Sequence, residues 1–273
     1  MIHKYFYPGQ LAADVDYNMS RFSKMRPEFH FLYQQLNREN KFMIEVIGFD
    51  ADDTLWHNEV LYHQAKEELG QILAGYRHPK EVKAWLDQTE VTNIEYYGYG
   101  IKSFTLSMIQ TATEISGGRV TAKQIGKIIA IAKRMLTAPV DLVDGVEAIL
   151  DSLSSSYDLI LITKGDQFEQ ERKISISGIA DYFRYREIVG EKSESTYSHV
   201  LEKYNIDPTC FLMVGNSLRS DILPVLKIGG KAVHIPNAQT WFHEDANQEE
   251  VGESSYTQLE RLNQLPIYLE QLK

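Results

Sequence analysis

The chain has 273 residues, of which 43% are hydrophobic and 24% are charged, a composition typical of a folded globular protein. Its formal net charge is −10, and such an acidic surface is a poor match for nucleic acid or for an anionic membrane. A single cysteine excludes an intrachain disulfide, and the sequence shows neither a long apolar span nor a signal-peptide pattern, so we expect a cytoplasmic protein.

The first half of the chain predicts one strand followed by a long helical region. Residues 1–42 mix polar and aromatic side chains, and we interpret them as a peripheral N-terminal extension. The apolar segment MIEVIGF (43–49) predicts the first strand. From 58 to 139 apolar residues recur at helical spacing, with Pro79 suited to a first turn and Thr121 to an N-cap. This region predicts an all-helical module.

The second half of the chain alternates short apolar runs with helical patterns. Further strands are predicted over 158–163, 185–189, 210–215 and 231–236, and a final helical segment over 256–272. Such alternation is typical of an α/β fold with a doubly wound parallel sheet. We therefore predict a core made of residues 43–57 and 140–273, into which the helical domain 58–139 is inserted.

Polar residues follow several of the predicted strands at the point where each strand ends. They are Asp50 and Asp52, Thr163 with Lys164 and Gly165, Lys192, and Gly215 with Asn216, Ser217 and Asp221. Ligands of open parallel sheets bind at the carboxyl ends of the strands, so we expect these side chains to converge. Carboxylates that bind a hard divalent cation, together with lysine and backbone N–H donors, suit phosphoryl chemistry.

Four segments in this order resemble the motifs of the haloacid dehalogenase-like (HAD) hydrolase superfamily. FDADDTL resembles its DxDxT motif, LILITKGD its second motif, GEKSESTY its lysine-bearing third motif and VGNSLRSDI its fourth motif. The helical insert is similar to the type 1 cap of that family, and the resemblance covers about residues 43–236. It implies a Rossmann-like core and a phosphatase with a helical cap.

The resemblance also implies a role for each residue in the reaction. Asp50 would attack phosphorus and form an aspartyl-phosphate, and Asp52 would protonate the leaving oxygen and then accept a proton from water. For the first of these roles, the surroundings of Asp52 should favour its protonated form. Thr163 would hold the phosphoryl oxygens, and Lys192 would neutralise the charge of Asp50 and of phosphate. Residues expected to contact substrate or phosphate, or to orient the loop beside it, are Thr54, Lys164, Gly165 and Asn216.

The implied cofactor is Mg²⁺, bound by Asp50, the backbone carbonyl of Asp52, and the fourth motif. Asn216 departs from the family pattern, which has Asp at this position. An amide oxygen can still bind a hard cation but brings no charge, so we expect weaker Mg²⁺ binding. The sequence leaves open whether Asn216 or Asp221 is the direct ligand. Asp53 is expected to have a structural role in the loop.

Some assignments remain open at this level. Lys173 and Lys203 are rivals of Lys192 for the place beside the nucleophile. Residues Tyr96–Tyr99 form either a loop over the substrate or an ordinary connection between helices.

The implied function is a Mg²⁺-dependent phosphomonoester hydrolase that acts on a small soluble phosphorylated metabolite, without nucleic-acid or membrane partners. Other chemistry of the family (phosphomutase, phosphonatase or dehalogenase) and a weakly active module that binds phosphate compounds are the alternatives. A dehalogenase would not need Asp52. The substrate and the oligomeric state stay open, a homodimer included.

Overall fold

The computed structural model describes residues 43–246, 248–252 and 256–272, so the predicted extension 1–42 lies outside the described residues. The described residues form six strands: β1 (Val46–Phe49), β2 (Asp158–Lys164), β3 (Tyr185–Val189), β4 (Phe211–Gly215), β5 (Lys231–His234) and β6 (Thr257–Gln258). They make one parallel sheet in the order β3-β2-β1-β4-β5-β6. The predicted α/β class with a doubly wound parallel sheet is confirmed.

Ten α-helices are assigned in the described residues. They are α1 (Glu59–Ile72), α2 (Pro79–Tyr97), α3 (Ile101–Ser116), α4 (Ala122–Thr137), α5 (Val146–Ser154), α6 (Gln167–Ile176), α7 (Glu194–Lys203), α8 (Leu223–Lys227), α9 (Gln248–Val251) and α10 (Leu265–Gln271). Local sequence explains several of their ends. Pro79 lies in the first turn of α2, Thr121 and Gln124 form a capping box at α4, and Gly117 ends α3 in a left-handed conformation.

Both faces of the sheet are covered, as a parallel sheet requires. Alternate strand residues, such as Phe49 and Leu161, pack in one cluster with α5, α6 and α10. The intervening residues, such as Ile160 and Met213, pack in a second cluster with α7 and α8. Burying side chains on both faces holds the strand register, and this rigid sheet positions the loops at its carboxyl edge.

Helices α1 to α4 stand between β1 and β2 in the chain and have an apolar cluster of their own. Its buried members include Leu69, Leu86, Phe104 and Met108, each no more than 2% exposed, and Ile128 from α4. We refer to residues Glu59–Thr137 as the helical insert. No helix in the described part of the chain has the length and apolar character needed to cross a membrane.

The structure corrects one expectation about secondary structure. The final segment 256–272 is not helical throughout, because Thr257–Gln258 adds a short strand beside β5 before α10 begins. A strand of two residues is too short to show the alternation of apolar and polar side chains that predicts a strand. In the fourth-motif segment a π-helical turn, Leu218–Ile222, precedes α8, and Pro224 lies in the first turn of α8.

Candidate active site

Asp50 stands directly after β1, at the point where the strand order changes direction between β2 and β4. It is 7% exposed, and each carboxylate oxygen has a partner. Thr54 Oγ1 donates to Asp50 Oδ2 at 2.9 Å, and Lys192 Nζ donates to Asp50 Oδ1 at 2.5 Å. Burial raises the pKa of Asp50, although the Lys192 ammonium acts in the opposite direction. Thr54 therefore orients Asp50. Among the described residues, Thr54 does not line the cavity that lies beside Asp50 and is described below.

The lysine beside Asp50 is Lys192 and not either rival. Its side chain is 2% exposed, and Nζ also donates to Asp221 Oδ1 at 2.6 Å. Burial alone would lower the pKa of Lys192, but Asp221 and Asp50 raise it well above its usual range. Lys203 pairs instead with Glu187 at a distance of 2.6 Å, away from this site. Asp50 and Asp221, predicted to converge, thus bind the same ammonium group.

Asp221 is fully buried on the π-helical turn, where a close backbone approach positions it. Ser217 N donates to Asp221 Oδ2 at 3.0 Å. A Cβ atom at Gly215 would lie 2.2 Å from the same oxygen, so only glycine fits at that position. The glycine of the fourth motif therefore leaves room for the carboxylate.

The side-chain amide of Asn216 lies close to three oxygen atoms of the site. The amide atom that faces the site lies 3.3 Å from Thr54 Oγ1, 3.3 Å from Asp50 Oδ2 and 3.2 Å from the backbone oxygen of Asp52. With its nitrogen turned toward them, the amide donates to all three oxygens and accepts from Thr240 Oγ1 at 3.1 Å. With its oxygen turned toward them, it accepts from Thr54 Oγ1 and faces the other two oxygens.

This second orientation fits a Mg²⁺ site. Neighbouring ligands around octahedral Mg²⁺ are about 3 Å apart, because each metal–oxygen distance is about 2.1 Å. Among the described residues no cluster of three or more His, Cys, Asp or Glu side chains is available to bind a metal. Mg²⁺ does not need one, since it commonly uses one or two carboxylates and keeps several waters. Asp50, Asn216 and the Asp52 carbonyl would supply protein ligands, and Asp221 would add a carboxylate either directly or through water.

The side chain of Asp52 is surrounded by donors. Lys173 Nζ lies 2.7 Å from both carboxylate oxygens, Gln170 Nε2 donates to Oδ2 at 2.9 Å, and Trp56 Nε1 donates to Oδ1 at 2.5 Å. All three partners are hydrogen-bond donors that contact the carboxylate oxygens of Asp52. That the surroundings of Asp52 favour its protonated form stays a prediction. Lys173, which was an alternative to Lys192 for the place beside Asp50, contacts Asp52 instead.

Asp53 has the structural role expected of it. Its backbone φ is 61°, and its carboxylate accepts from the backbone N–H groups of Asn58 and Glu59 at 3.0 to 3.1 Å. It therefore satisfies free donors at the start of α1, where a negative charge is also favoured. Asp53 connects the nucleophile loop to the first helix of the insert.

The residues after β2 lie beside the same cavity. Thr163 is fully buried, and its Oγ1 has no hydrogen-bond partner. Gly165 has φ 148°, and a Cβ atom there would lie 2.8 Å from Gln170 Nε2. Lys164 Nζ lies 2.5 Å from Glu244 Oε1 and 4.1 Å from the centre of the Tyr99 ring. A phosphoryl oxygen would give the Thr163 hydroxyl the acceptor that it lacks.

The cavity has a volume of about 150 Å³ and is bounded by both the sheet edge and the helical insert. The sheet edge contributes Asp50, Asp52, Thr163, Lys164, Gly165, Lys192, Asn216 and Asp221, among others. The insert contributes Glu59, Tyr62, Glu90, Ile94, Tyr99, Ser103 and Phe104. Of the predicted tyrosines only Tyr99 lines this cavity, because Tyr96 and Tyr97 lie in the last turn of α2 and are 70% and 54% exposed. Tyr99 OH donates to Glu191 Oε2 at 2.6 Å.

Sequence reasoning missed the loop after β5. Burial alone would raise the pKa of Glu244, but Lys164 and the hydroxyls of Ser217 and Ser220 lower it to about 2. Trp241 also lines the cavity, and its buried Nε1 has no hydrogen-bond partner. Ligands bind at the carboxyl ends of parallel strands, and this rule applies to β5 as it does to β1, β2 and β4. It would have drawn attention to this loop.

The comparisons with known proteins identify the family. The model of the haloacid dehalogenase-like hydrolases matches residues 44–229, so the chain belongs to that family. The crystal structure of a haloacid dehalogenase-like family hydrolase from Xanthomonas campestris has 37% sequence identity and a TM-score of 0.74. The match covers 84% of this chain and 91% of that chain. The search of curated proteins found no match.

More distant structures share the fold and differ in their described activity. A 2-haloacid dehalogenase from Pseudomonas syringae pv. Tomato is 18% identical, with a TM-score of 0.57 over 85% of this chain and 100% of that one. A predicted phosphoglycolate phosphatase from Haemophilus somnus is 15% identical, with a TM-score of 0.56 over 82% and 97%. At this level the likeness is one of fold alone.

Proposed function

We propose that the protein is a Mg²⁺-dependent phosphomonoester hydrolase that acts on a small phosphorylated metabolite. The observation that carries this proposal is the presence of Asp52 beside Asp50 in one cavity, with Lys192 and the unpartnered Thr163 hydroxyl. A dehalogenase needs the nucleophilic carboxylate but no second aspartate two residues later. The cavity volume of about 150 Å³ favours a small substrate.

In the first half of the proposed reaction, an Asp50 oxygen attacks phosphorus and the bond from phosphorus to the ester oxygen breaks. The departing oxygen keeps the electron pair and takes a proton from Asp52. Lys192 balances charge on Asp50, and the Thr163 hydroxyl donates to a phosphoryl oxygen. Bound Mg²⁺ would supply Lewis-acid stabilisation of the phosphoryl charge.

In the second half, water attacks the phosphorus of the aspartyl-phosphate while the Asp52 carboxylate accepts its proton. The bond between phosphorus and Asp50 breaks, which regenerates the Asp50 carboxylate and releases phosphate. Gln170 and Lys173 donate to the Asp52 carboxylate and hold it in place for this step. The helical insert, as a cap over the cavity, would exclude bulk water from the intermediate.

The test is the release of inorganic phosphate from p-nitrophenyl phosphate, measured with Mg²⁺ and with EDTA. We expect Mg²⁺-dependent release that is abolished in Asp50→Asn. Activity retained in Asp50→Asn would remove Asp50 as the nucleophile. Halide release from a 2-haloacid, measured in parallel, would support a dehalogenase instead. A panel of phosphorylated metabolites would then narrow the substrate class.

Asn216 favours a second candidate function, a module that binds phosphate compounds with little turnover, because the metal site has one charge fewer than the family pattern. The two candidates differ in one measurement. Binding of inorganic phosphate by calorimetry without phosphate release across the panel would support the binding module.

A further inference from the structure

Lys173, on α6, connects Asp52 with the beginning of the helical insert. Its ammonium group lies 2.7 Å from both oxygens of Asp52 and 3.2 Å from Asn58 Oδ1. Its side chain is only 12% exposed, so water competes little for these contacts. A lysine outside the four motifs is therefore a direct partner of the Asp52 carboxylate, together with Gln170 and Trp56.

Glu169, one helical turn earlier on α6, makes contacts with both the core and the insert. It is 5% exposed, and its Oε1 lies 3.8 Å from Lys173 Nζ. Its Oε2 accepts the backbone N–H of Ile101 at 2.8 Å, at the start of α3 in the insert. The first N–H groups of a helix lack partners within the helix and favour a negative charge. Glu169 thus binds the N-terminus of α3 while it faces the lysine that holds Asp52.

The backbone of the insert approaches Glu169 closely at this point. Gly100 has φ 107°, and a Cβ atom there would lie 3.0 Å from Glu169 Oε2. Lys102 also pairs with Asp166 at 2.7 Å, but the Lys102 side chain is 58% exposed, and neither residue is a hydrogen-bond partner of Asp52. The insert therefore has two neighbouring contacts with α6, of which only one connects to the acid/base residue.

We propose that Lys173 and Glu169 are positioning residues, which link the docking of the helical insert on α6 to the placement of Asp52 for proton transfer. The proposal rests on the proposed phosphatase function. With the insert docked, Glu169 is held by the Ile101 N–H, Lys173 is held by Glu169 and Asn58, and Asp52 is held by Lys173. Neither positioning residue touches the reacting atoms.

The reaction offers a readout specific to this role. A nitrophenolate leaves without a proton, whereas a benzyl alkoxide needs one from Asp52. Misplacing Asp52 should therefore slow the hydrolysis of benzyl phosphate more than that of p-nitrophenyl phosphate. The ratio of the two kcat/KM values reports the steps up to the formation of the aspartyl-phosphate. Simple weakening of the fold would lower both values together and leave the ratio unchanged.

The experiment compares this ratio among the full-length wild type and the variants Lys173→Met, Glu169→Gln and Asp52→Asn, each checked by thermal melting. General acid catalysis contributes about 10²- to 10⁴-fold. We expect the ratio of p-nitrophenyl to benzyl phosphate to rise most in Asp52→Asn, by about tenfold in Lys173→Met, and by less in Glu169→Gln. Glu169→Gln keeps an oxygen for the Ile101 N–H and removes only the charge.

Two further variants complete the test. Lys173→Arg keeps the positive charge and should return the ratio toward wild type, and Glu169→Gln tests the inference by itself if Lys173→Met does not fold. Lys102→Met removes the neighbouring contact between insert and core and should leave the ratio unchanged. An unchanged ratio in Glu169→Gln and in folded Lys173→Met, or an equal shift in Lys102→Met, would overturn the inference alone. A wild type that releases phosphate from neither ester would overturn both proposals.

Discussion

Lys192 Nζ donates to Asp50 Oδ1 at 2.5 Å and to Asp221 Oδ1 at 2.6 Å, so one buried ammonium group joins the carboxylates that follow β1 and β4. The three side chains come from segments that are far apart in the sequence. Because all three are buried, their charges interact in a poorly solvated environment. The pairing affects stability as well as the proposed chemistry.

Lys192→Met should strongly destabilise the protein. The variant leaves two buried carboxylates without their cation, and removing one partner of a buried ion pair costs about 3–5 kcal/mol. Urea unfolding in EDTA measures the change in the free energy of unfolding. Lys203→Met, which removes a lysine from the more exposed pair with Glu187, should move the urea midpoint little. Equal effects of the two variants would contradict the assigned role of Lys192.

Asn216→Asp should tighten Mg²⁺ binding and destabilise the metal-free protein. A carboxylate supplies the missing charge to the cation, but without metal it repels Asp50 and cannot donate as the amide does. Calorimetric Mg²⁺ titration and thermal melting in EDTA measure the two effects. Asn237→Asp is the matched control, because the Asn237 amide donates to the Asp53 carbonyl outside the ligand set. Unchanged Mg²⁺ affinity in Asn216→Asp would show that this side chain does not bind the metal.

Thr163→Val should separate stability from activity. The hydroxyl is buried without a partner, so valine of similar shape should change the free energy of unfolding by less than about 1 kcal/mol. Loss of a donor to a charged phosphoryl group should lower kcat/KM by about 10- to 100-fold, since such a bond contributes about 1.5–3 kcal/mol. Thr111, whose hydroxyl is also buried without a partner but lies in the insert core, supplies the control. Thr111→Val should keep full activity.

Glu59 should make stability depend on pH. Burial, together with the negative charges of Asp53, Glu90 and Asp52, raises the pKa of Glu59 to about 8 despite the nearby Lys66. The folded state then binds this proton more tightly than the unfolded state does, so the contribution to stability is present below about pH 4.5 and is lost as the pH rises toward 8. Glu59→Gln should reduce this decline in urea unfolding experiments between pH 5 and pH 8 (a range set by about these two values). Parallel pH profiles of the two proteins would contradict the prediction.

Much of the site could be predicted because its determinants are local. The segments that form β1, β2 and β4 are short and apolar, and each is followed by polar residues. Because ligands bind at the carboxyl ends of parallel strands, this pattern was enough to predict that Asp50, Thr163 and Asp221 lie at one edge of the sheet. The helical character of the insert follows from the spacing of its apolar residues. Weakly patterned parts were harder, and the two-residue strand β6 was predicted as helix.

The order of strands and helices and the kinds of side chain at the sheet edge follow from the amino-acid sequence, because both depend on neighbours along the chain. The three-dimensional arrangement was needed to show that Lys192 binds Asp50 while Lys173 binds Asp52. It was also needed to show that Glu169 binds the start of α3 and that Glu244 pairs with Lys164. Such pairings depend on how the insert and distant loops pack together. The energy of a buried charge is set by the atoms around it, and these are not its neighbours in the sequence.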